Sequence, residues 1–368
     1  MKNKPSEKTN LGRLIIKITI ILLASNLLFV FFQNIPYGNV SLYNFLFTGR
    51  QRLPFGESSE KSFNLTMSNI DAMVSSHIAA KKNDNEYRIF VFGDSSIWGI
   101  LQKPQETLTG ILNNQMNSRC RGKDIVFYNF GYPSLSVLKD LLIIERVKML
   151  DPDLIIWAVT LESMLSDVQM DTPLVANNPQ KINQILASYE LNQIFSPSAK
   201  IPAHTIVHER RNLADIIRLQ AYGVMWSATG IDQDYPVSYT PAMWDLEDNT
   251  DYYDVEPFFL EMDDLALDII KNGVKKNDHT NFIIINEPIL ISTGSNSDIR
   301  YNFYYPRWAY DQYQILINEE MNDSGIEYYD FWNLVPGTEF TNSAIHLNDV
   351  GENLLAKEIK KIIESRCD

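Results

Sequence analysis

The chain has 368 residues, 45% hydrophobic and 21% charged, which excludes a disordered polyelectrolyte and suits one or two folded domains with a substantial core. Its 32 basic and 46 acidic residues give a formal charge of −14 with no basic stripe, so nucleic acid is excluded as a partner.

Near the start, Leu14 to Phe32 is apolar apart from Lys17, Thr19, Ser25 and Asn26. It is long enough for a membrane helix, which needs roughly 17–25 residues. Lys2, Lys4, Lys8 and Arg13 precede it, so the positive-inside rule keeps residues 1–13 in the cytoplasm and sends the remainder outside. No small-x-small cleavage site follows, and an uncleaved anchor over 14–32 is expected rather than a signal peptide. Residues 33–86 form a juxtamembrane connector. In it, Tyr43–Phe47 and Gly49–Arg52 suit either the lipid surface or packing on the domain. The spacing of Ile70, Met73, Val74 and His77 predicts a helix within 65–80, with His77 a packed or surface side chain.

Tyr87 to Phe92 is β-branched and aromatic and predicts a buried strand. It breaks into Gly93-Asp94-Ser95-Ser96-Ile97-Trp98-Gly99, and a helix is predicted over Thr107–Met116. Strand, sharp turn and helix can present a serine at the carboxyl edge of a sheet, where open α/β folds place their sites. Ser95 is therefore a candidate nucleophile, although Gly-Asp-Ser is also an ordinary turn. A strand over 124–130 leads to Gly131, then a helix over 134–150 capped by Ser134. The strand 153–160 is followed by Leu161-Glu162-Ser163.

Residues 161–256 are too long for a simple crossover and contain a polar-faced helix over 213–229. They end in an aromatic and acidic run, Met243–Asp248 and Tyr252–Asp254, which suits either sugar stacking or a solvated lid. His204 and His208 share no third metal ligand, and no glycine-rich phosphate loop or Cys-x-x-Cys occurs, so neither metal nor cofactor is expected. A helix over 257–274 precedes the strand 280–286, which ends in Glu287. The aromatic stretch Tyr301–Arg307, a helix to Met321 and the strand 326–331 complete five parallel strands. Arg307 suits either a substrate carboxylate or a surface pair. Last, Phe340 to Gly351 sets His346 ahead of a C-terminal helix marked by Leu354, Leu355, Ile359 and Ile362.

With Gly93-Asp94-Ser95 at one end and His346, Leu347, Asn348 and Gly351 at the other, the chain resembles the SGNH/GDSL hydrolase superfamily over 87–160 and 280–365. The resemblance implies a three-layer, doubly wound, five-stranded parallel sheet of flavodoxin-like order. Its hydrolase domain would be 87–160 with 257–368, and 161–256 an insertion. It also implies Ser95 as nucleophile, His346 as base, and the amides of Ser95 and Gly131 as oxyanion donors. Asp94 and Glu287 are placed as supporting carboxylates.

Two positions depart from the family pattern. Glu162 stands where an asparagine usually donates to the oxyanion, and an ionised glutamate cannot donate, which leaves the hydroxyls of Thr160 and Ser163. Ser343 stands where an aspartate usually orients the histidine, with Asn342 one residue before it. Asn342 stands at or near the acid position but cannot stabilise an imidazolium as a carboxylate does, which leaves a Ser95–His346 dyad with a backbone carbonyl orienting the ring, a carboxylate such as Glu287, or weakened catalysis.

The expected activity is that of a membrane-anchored extracytoplasmic esterase removing acyl groups, acetyl among them, from a cell-surface glycan or an acylated small molecule. The alternatives are an O-acyltransferase component working with a membrane acyltransferase on an exported polysaccharide, and an inactive glycan-binding scaffold. An oxidising compartment permits a disulfide. Cys120 would end the helix after the first strand and Cys367 the last helix; in a doubly wound sheet these helices often share a face, so a Cys120–Cys367 bond is expected.

Overall fold

The computed structural model describes residues 10–31, 49–55, 70–81, 83–191, 238–253, 255–277 and 279–367, with isolated positions between 213 and 225. The Tyr43–Phe47 run, His204, His208 and most of the helix expected over 213–229 lie outside the described residues.

Helix α1 spans Leu11–Phe31. At ~1.5 Å per residue it matches the hydrocarbon thickness of a bilayer, and among the described residues it alone is long and apolar enough to cross one. After α2 (Ile70–Ser75) the sheet begins. Its strands are β1 (Glu86–Phe92), β2 (Arg119–Cys120), β3 (Lys123–Asn129), β4 (Leu154–Val159), β5 (Asn281–Asn286) and β6 (Tyr328–Asp330). They lie in the order β2-β3-β1-β4-β5-β6.

The sheet has six strands and is mixed, which corrects the expected five parallel ones. β3, β1, β4, β5 and β6 pair in parallel. The sixth strand, β2, is antiparallel to β3, with Arg119 opposite Asp124 and Cys120 opposite Lys123. Its two-residue loop has positive φ at both Arg121 (52°) and Gly122 (81°), the backbone of a tight hairpin turn that matches strand twist. An arginine at the first position hides that turn from inspection of the sequence. Cys120 accordingly sits in an edge strand rather than at a helix end.

The central strands are buried on both sides, which is why they are continuously apolar. Ile89 and Val91 of β1 face one core together with Leu108 and Leu112 of α4 (Leu108–Gln115). Phe90 and Phe92 face the other, with Leu138 and Leu141 of α5 (Val137–Val147). Ser136, not Ser134, caps α5 by accepting from the Lys139 amide, because the chain bends at 133–134, where the Ser134 amide donates to Tyr132 O at 2.8 Å.

The start of the insertion belongs to the second core. α6 (Leu161–Met164), α7 (Pro173–Ala176) and α8 (Pro179–Ser188) bury Leu161, Met164, Leu174, Val175, Ile182 and Leu186 there. α9 covers only Leu267–Lys275. Upstream, the Gln312 side chain donates to Phe258 O and accepts from the Leu260 amide, meeting backbone groups that a longer helix would have paired internally. α10 (Arg307–Ser324) covers this same face.

The last helix, α11 (Asp349–Cys367), packs beside α4 on the first face. There Cys120 and Cys367 are bonded, as expected. Helices on both faces give the three layers, and the carboxyl ends of β1, β4 and β5 meet at one edge.

Candidate active site

At that edge β1 runs into Gly93, whose place a Cβ could not share: it would lie 2.5 Å from Ile97 Cγ1. Asp94 then caps α3 (Ser95–Trp98) by accepting from the Ser96 amide at 2.9 Å. Ser95 is thus the first residue of a short helix, where an amide has no intrahelical carbonyl partner.

On the opposite arm, Phe340 and Leu347 bridge the ends of a loop that carries His346 back to the sheet. His346 Nε2 lies 2.8 Å from Ser95 Oγ, and its Nδ1 lies 2.9 Å from Asn342 Oδ1. An amide oxygen only accepts, so Nδ1 carries the proton and the Nε2 lone pair faces the serine hydroxyl. Asn342 therefore orients the ring. Ser343 instead meets Tyr304, and Glu287 accepts from Ser96 Oγ. The three-residue arrangement is a serine–histidine–amide line without a charge on its third member.

Burial lowers the His346 pKa from 6.5 to about 4. The ring is thus a free base at neutral pH, and the acid limb of kcat/KM is expected near pH 4. Asn342→Asp places a carboxylate on Nδ1, favours the imidazolium, and should move that limb upward by roughly 1–3 pH units. A pH–rate profile with an activated ester checks this, and an unmoved limb would count against Asn342 as the ring's partner.

The expected oxyanion donors are only partly placed. Gly131 packs against α3 so closely that a Cβ would come within 2.5 Å of the Trp98 nitrogen, but its amide donates to Asn129 Oδ1 at 3.0 Å. Asn129 Nδ2 in turn donates to Ile97 O at 2.6 Å. The Ser163 hydroxyl is committed to the start of α6, accepting from the Thr160 amide and donating to Thr160 O. The Thr160 hydroxyl is buried against Tyr305. Glu162 differs from expectation: burial, reinforced by the charge of Asp94, pushes its pKa up to about 8. At neutral pH it carries a proton and can donate. It also accepts from Tyr253 Oη.

Several side chains beneath the site were not singled out from sequence. Lys139 is 0% exposed. Its ammonium donates to Gly93 O at 2.8 Å and Tyr132 O at 2.9 Å, and pairs with Asp140 at 2.6 Å. Asp140 also accepts from Trp157 Nε1. Glu352, likewise not singled out, is buried close by, as are Asp94 and Glu287, the two supporting carboxylates expected from sequence. Burial raises the pKa of Asp94 and, together with Asp94's charge, raises that of Glu287 well above the ordinary range. Burial likewise raises Glu352 to about 8.

Such an acid keeps its proton when folded and releases it near the ordinary carboxylate range when unfolded. Stability therefore falls as pH rises from about 5 through about 8. Thermal unfolding between about pH 5 and pH 9 should show this slope, and Glu352→Gln, which keeps the contact with Gln102, should flatten it. A slope unchanged in the variant would remove Glu352 as its source.

The far end of the insertion lies against this edge. The Ala242 amide donates to Thr341 O in the histidine loop, and Arg300, buried, donates to carbonyls of Asn249 and Asp251. Glu247, Asn249, Asp251, Tyr253, Arg300 and Tyr304 line a cavity of about 240 Å³. Glu162 and Tyr253 also border a larger one, of about 550 Å³, with Leu165, Phe258 and Leu260. Two histidine and arginine options resolve as structural. His77 is buried and accepts from the Ala79 amide. Arg307 stacks on Tyr301 and donates to Ser297 O. Among the described residues no cluster of side chains suits a metal.

No family model matches the chain, and no curated protein matches it significantly. Solved structures do. The aryl esterase of M. smegmatis is 12% identical over 76% of this chain and 98% of its own, with a TM-score of 0.34. Est24, a carbohydrate acetylesterase from Sinorhizobium meliloti, is 11% identical over the same shares, also at 0.34. A lipase/acylhydrolase from Enterococcus faecalis is 14% identical over 76% and 97%, at 0.39. At such identities and scores the likeness carries no argument about chemistry, which rests on Ser95, His346 and Asn342.

Proposed function

We propose that this chain is a serine esterase of the SGNH/GDSL type, held to the outer side of a membrane by α1 and acting on O-acyl groups of a cell-surface glycan. The observation that carries the reading is the 2.8 Å contact of His346 Nε2 with Ser95 Oγ, in line with the 2.9 Å contact of Nδ1 with Asn342. A non-catalytic scaffold has no need of a hydroxyl, a free-base imidazole and a tautomer-setting amide in one line.

In this mechanism His346 takes the Ser95 proton as Oγ attacks the ester carbonyl. It then gives that proton to the departing alcohol, and water repeats the sequence on the acyl-serine. The Ser95 amide, and a protonated Glu162 close to Asp94, are the groups best suited to meet the oxyanion.

Support for a glycan comes from the 240 Å³ cavity, whose carboxylates, amide and aromatic rings suit hydroxyl hydrogen bonding and ring stacking, and whose Tyr304 adjoins the histidine loop through Ser343. Support for the outer compartment comes from the Cys120–Cys367 bond and from the basic residues before α1. A fluorophosphonate probe should modify the full-length protein in detergent on the peptide containing Ser95, seen by mass spectrometry. Absence of an adduct, or an adduct that persists in Ser95→Ala, would overturn the reading.

A further inference from the structure

The Gly49-Arg50-Gln51-Arg52 sequence between α1 and the sheet has no place in the mechanism above, yet both of its arginines are buried. Arg50, Arg52 and Leu53 are each at most 2% exposed. The segment is pinned from behind, since the Arg50 amide donates to Ser76 O and the Ile78 amide to Arg50 O. Gly49 is required there, because at φ 97° a Cβ would fall 2.7 Å from Ile78 Cα.

From this fixed base Arg52 reaches the far end of the nucleophile helix. Its Nη1 donates to the carbonyls of Trp98, Gly99 and Gln102 at 3.1, 3.0 and 3.2 Å. Its guanidinium lies 4.2 Å over the Trp98 ring. Trp98 answers by donating from Nε1 to Leu53 O at 2.8 Å. Phe55 sets its edge against Trp98 and also against Tyr132, on the loop that flanks Ser95 from the other side.

A four-residue helix has almost no stability of its own, and the carbonyls at its end need partners. A buried guanidinium is costly unless its hydrogen bonds are met. The one contact gives those carbonyls a donor and gives the Nη1 end of the guanidinium its acceptors, at the element whose first residue is Ser95.

We propose that residues 49–55 form a clamp on the nucleophile helix, with Arg52 as a positioning residue, so that the link to the membrane anchor is part of the active-site architecture. This rests on Ser95 as the nucleophile for its catalytic consequence, though not for its structural one. The clamp fixes the direction of α3 and hence the Ser95 Oγ position relative to His346. It acts on turnover rather than on substrate binding, because none of its contacts borders the 240 Å³ cavity.

The test compares full-length wild type, Arg52→Met, Arg52→Lys and Phe55→Ala in detergent. In Arg52→Met, hydrogen exchange at the amides of 97–102 should quicken at least about tenfold while β5 amides are unchanged. kcat for an activated acetyl ester should fall roughly 100-fold with KM within about twofold. Arg52→Lys, keeping a cation but not the planar fork, should recover part of both.

Unchanged exchange at 97–102 in Arg52→Met overturns the clamp whatever the activity. Quickened exchange with unchanged kcat overturns its positioning role. If Arg52→Met does not fold, Phe55→Ala carries the same two readouts at smaller amplitude, and no change in either rejects the proposal. Should wild type show no Ser95-dependent turnover, the esterase reading fails, while the exchange result still decides the clamp.

Discussion

His346→Ala is expected to lower kcat for an activated ester by roughly 10⁴-fold or more, with Ser95→Ala matching it and the double variant no worse. The physical reason is that the two side chains act as one unit. The hydroxyl is a poor nucleophile at neutral pH unless its proton is taken as it attacks, and among the described residues the imidazole in contact with it is that of His346, at 2.8 Å. Removing either partner removes the whole step, which is why the losses should not add. KM should change little, since neither residue borders the 240 Å³ cavity.

Asn342→Ala should cost less, roughly 10–100-fold. Asn342 sets the tautomer and holds the ring, but as a neutral amide it gives the developing imidazolium only a dipole. Steady-state kinetics on the four variants check the set. Additive losses for Ser95 and His346 would show that they do not share a step.

That much of the site was legible because it is local. Ile89–Phe92 is apolar on both faces, as a central strand must be, and a small polar turn at its end can only lie at a sheet edge. His346 before a C-terminal helix follows the same logic, and Asn342, four residues ahead, stays within reach inside one loop. The two cysteines were legible through topology, although the edge strand that carries Cys120 was not.

The missed parts are side chains that arrive from elsewhere in the chain. Arg52 meets carbonyls more than forty positions away, and no local pattern marks such a contact. Glu162 was misjudged for another reason: its ionisation depends on burial and on Asp94, neither visible in sequence. One signal was present and unused. Val137-Leu138-Lys139-Asp140-Leu141-Leu142-Ile143-Ile144 is apolar on every side, so a charged pair in its midst has no route to water and must find partners inside.

Those partners make Lys139→Met the second large effect, a loss of roughly 3–5 kcal/mol in unfolding free energy. The methionine fills the space, but Asp140 is left buried without its cation and Asp94 loses the nearest positive charge. The cost is that of the uncompensated carboxylates more than of the broken pair. Neutralising the acid as well should therefore restore stability. In Lys139→Met with Asp140→Asn, the amide oxygen still accepts from Trp157 Nε1, and most of the lost free energy should return in denaturant unfolding.

Activity should not return with it. Gly93 O keeps the Tyr132 amide at 3.0 Å, but nothing in the double variant bridges Gly93 O to Tyr132 O as the ammonium does. The turn ahead of Ser95 then loses one of the two bonds that fix it to the neighbouring loop, and a displacement of about 1 Å at a nucleophile is enough to cost ~100-fold in rate. A double variant restored in both stability and kcat would place Lys139 in the core alone. One restored in stability but still slow by tenfold or more places its ammonium in the geometry of the serine turn.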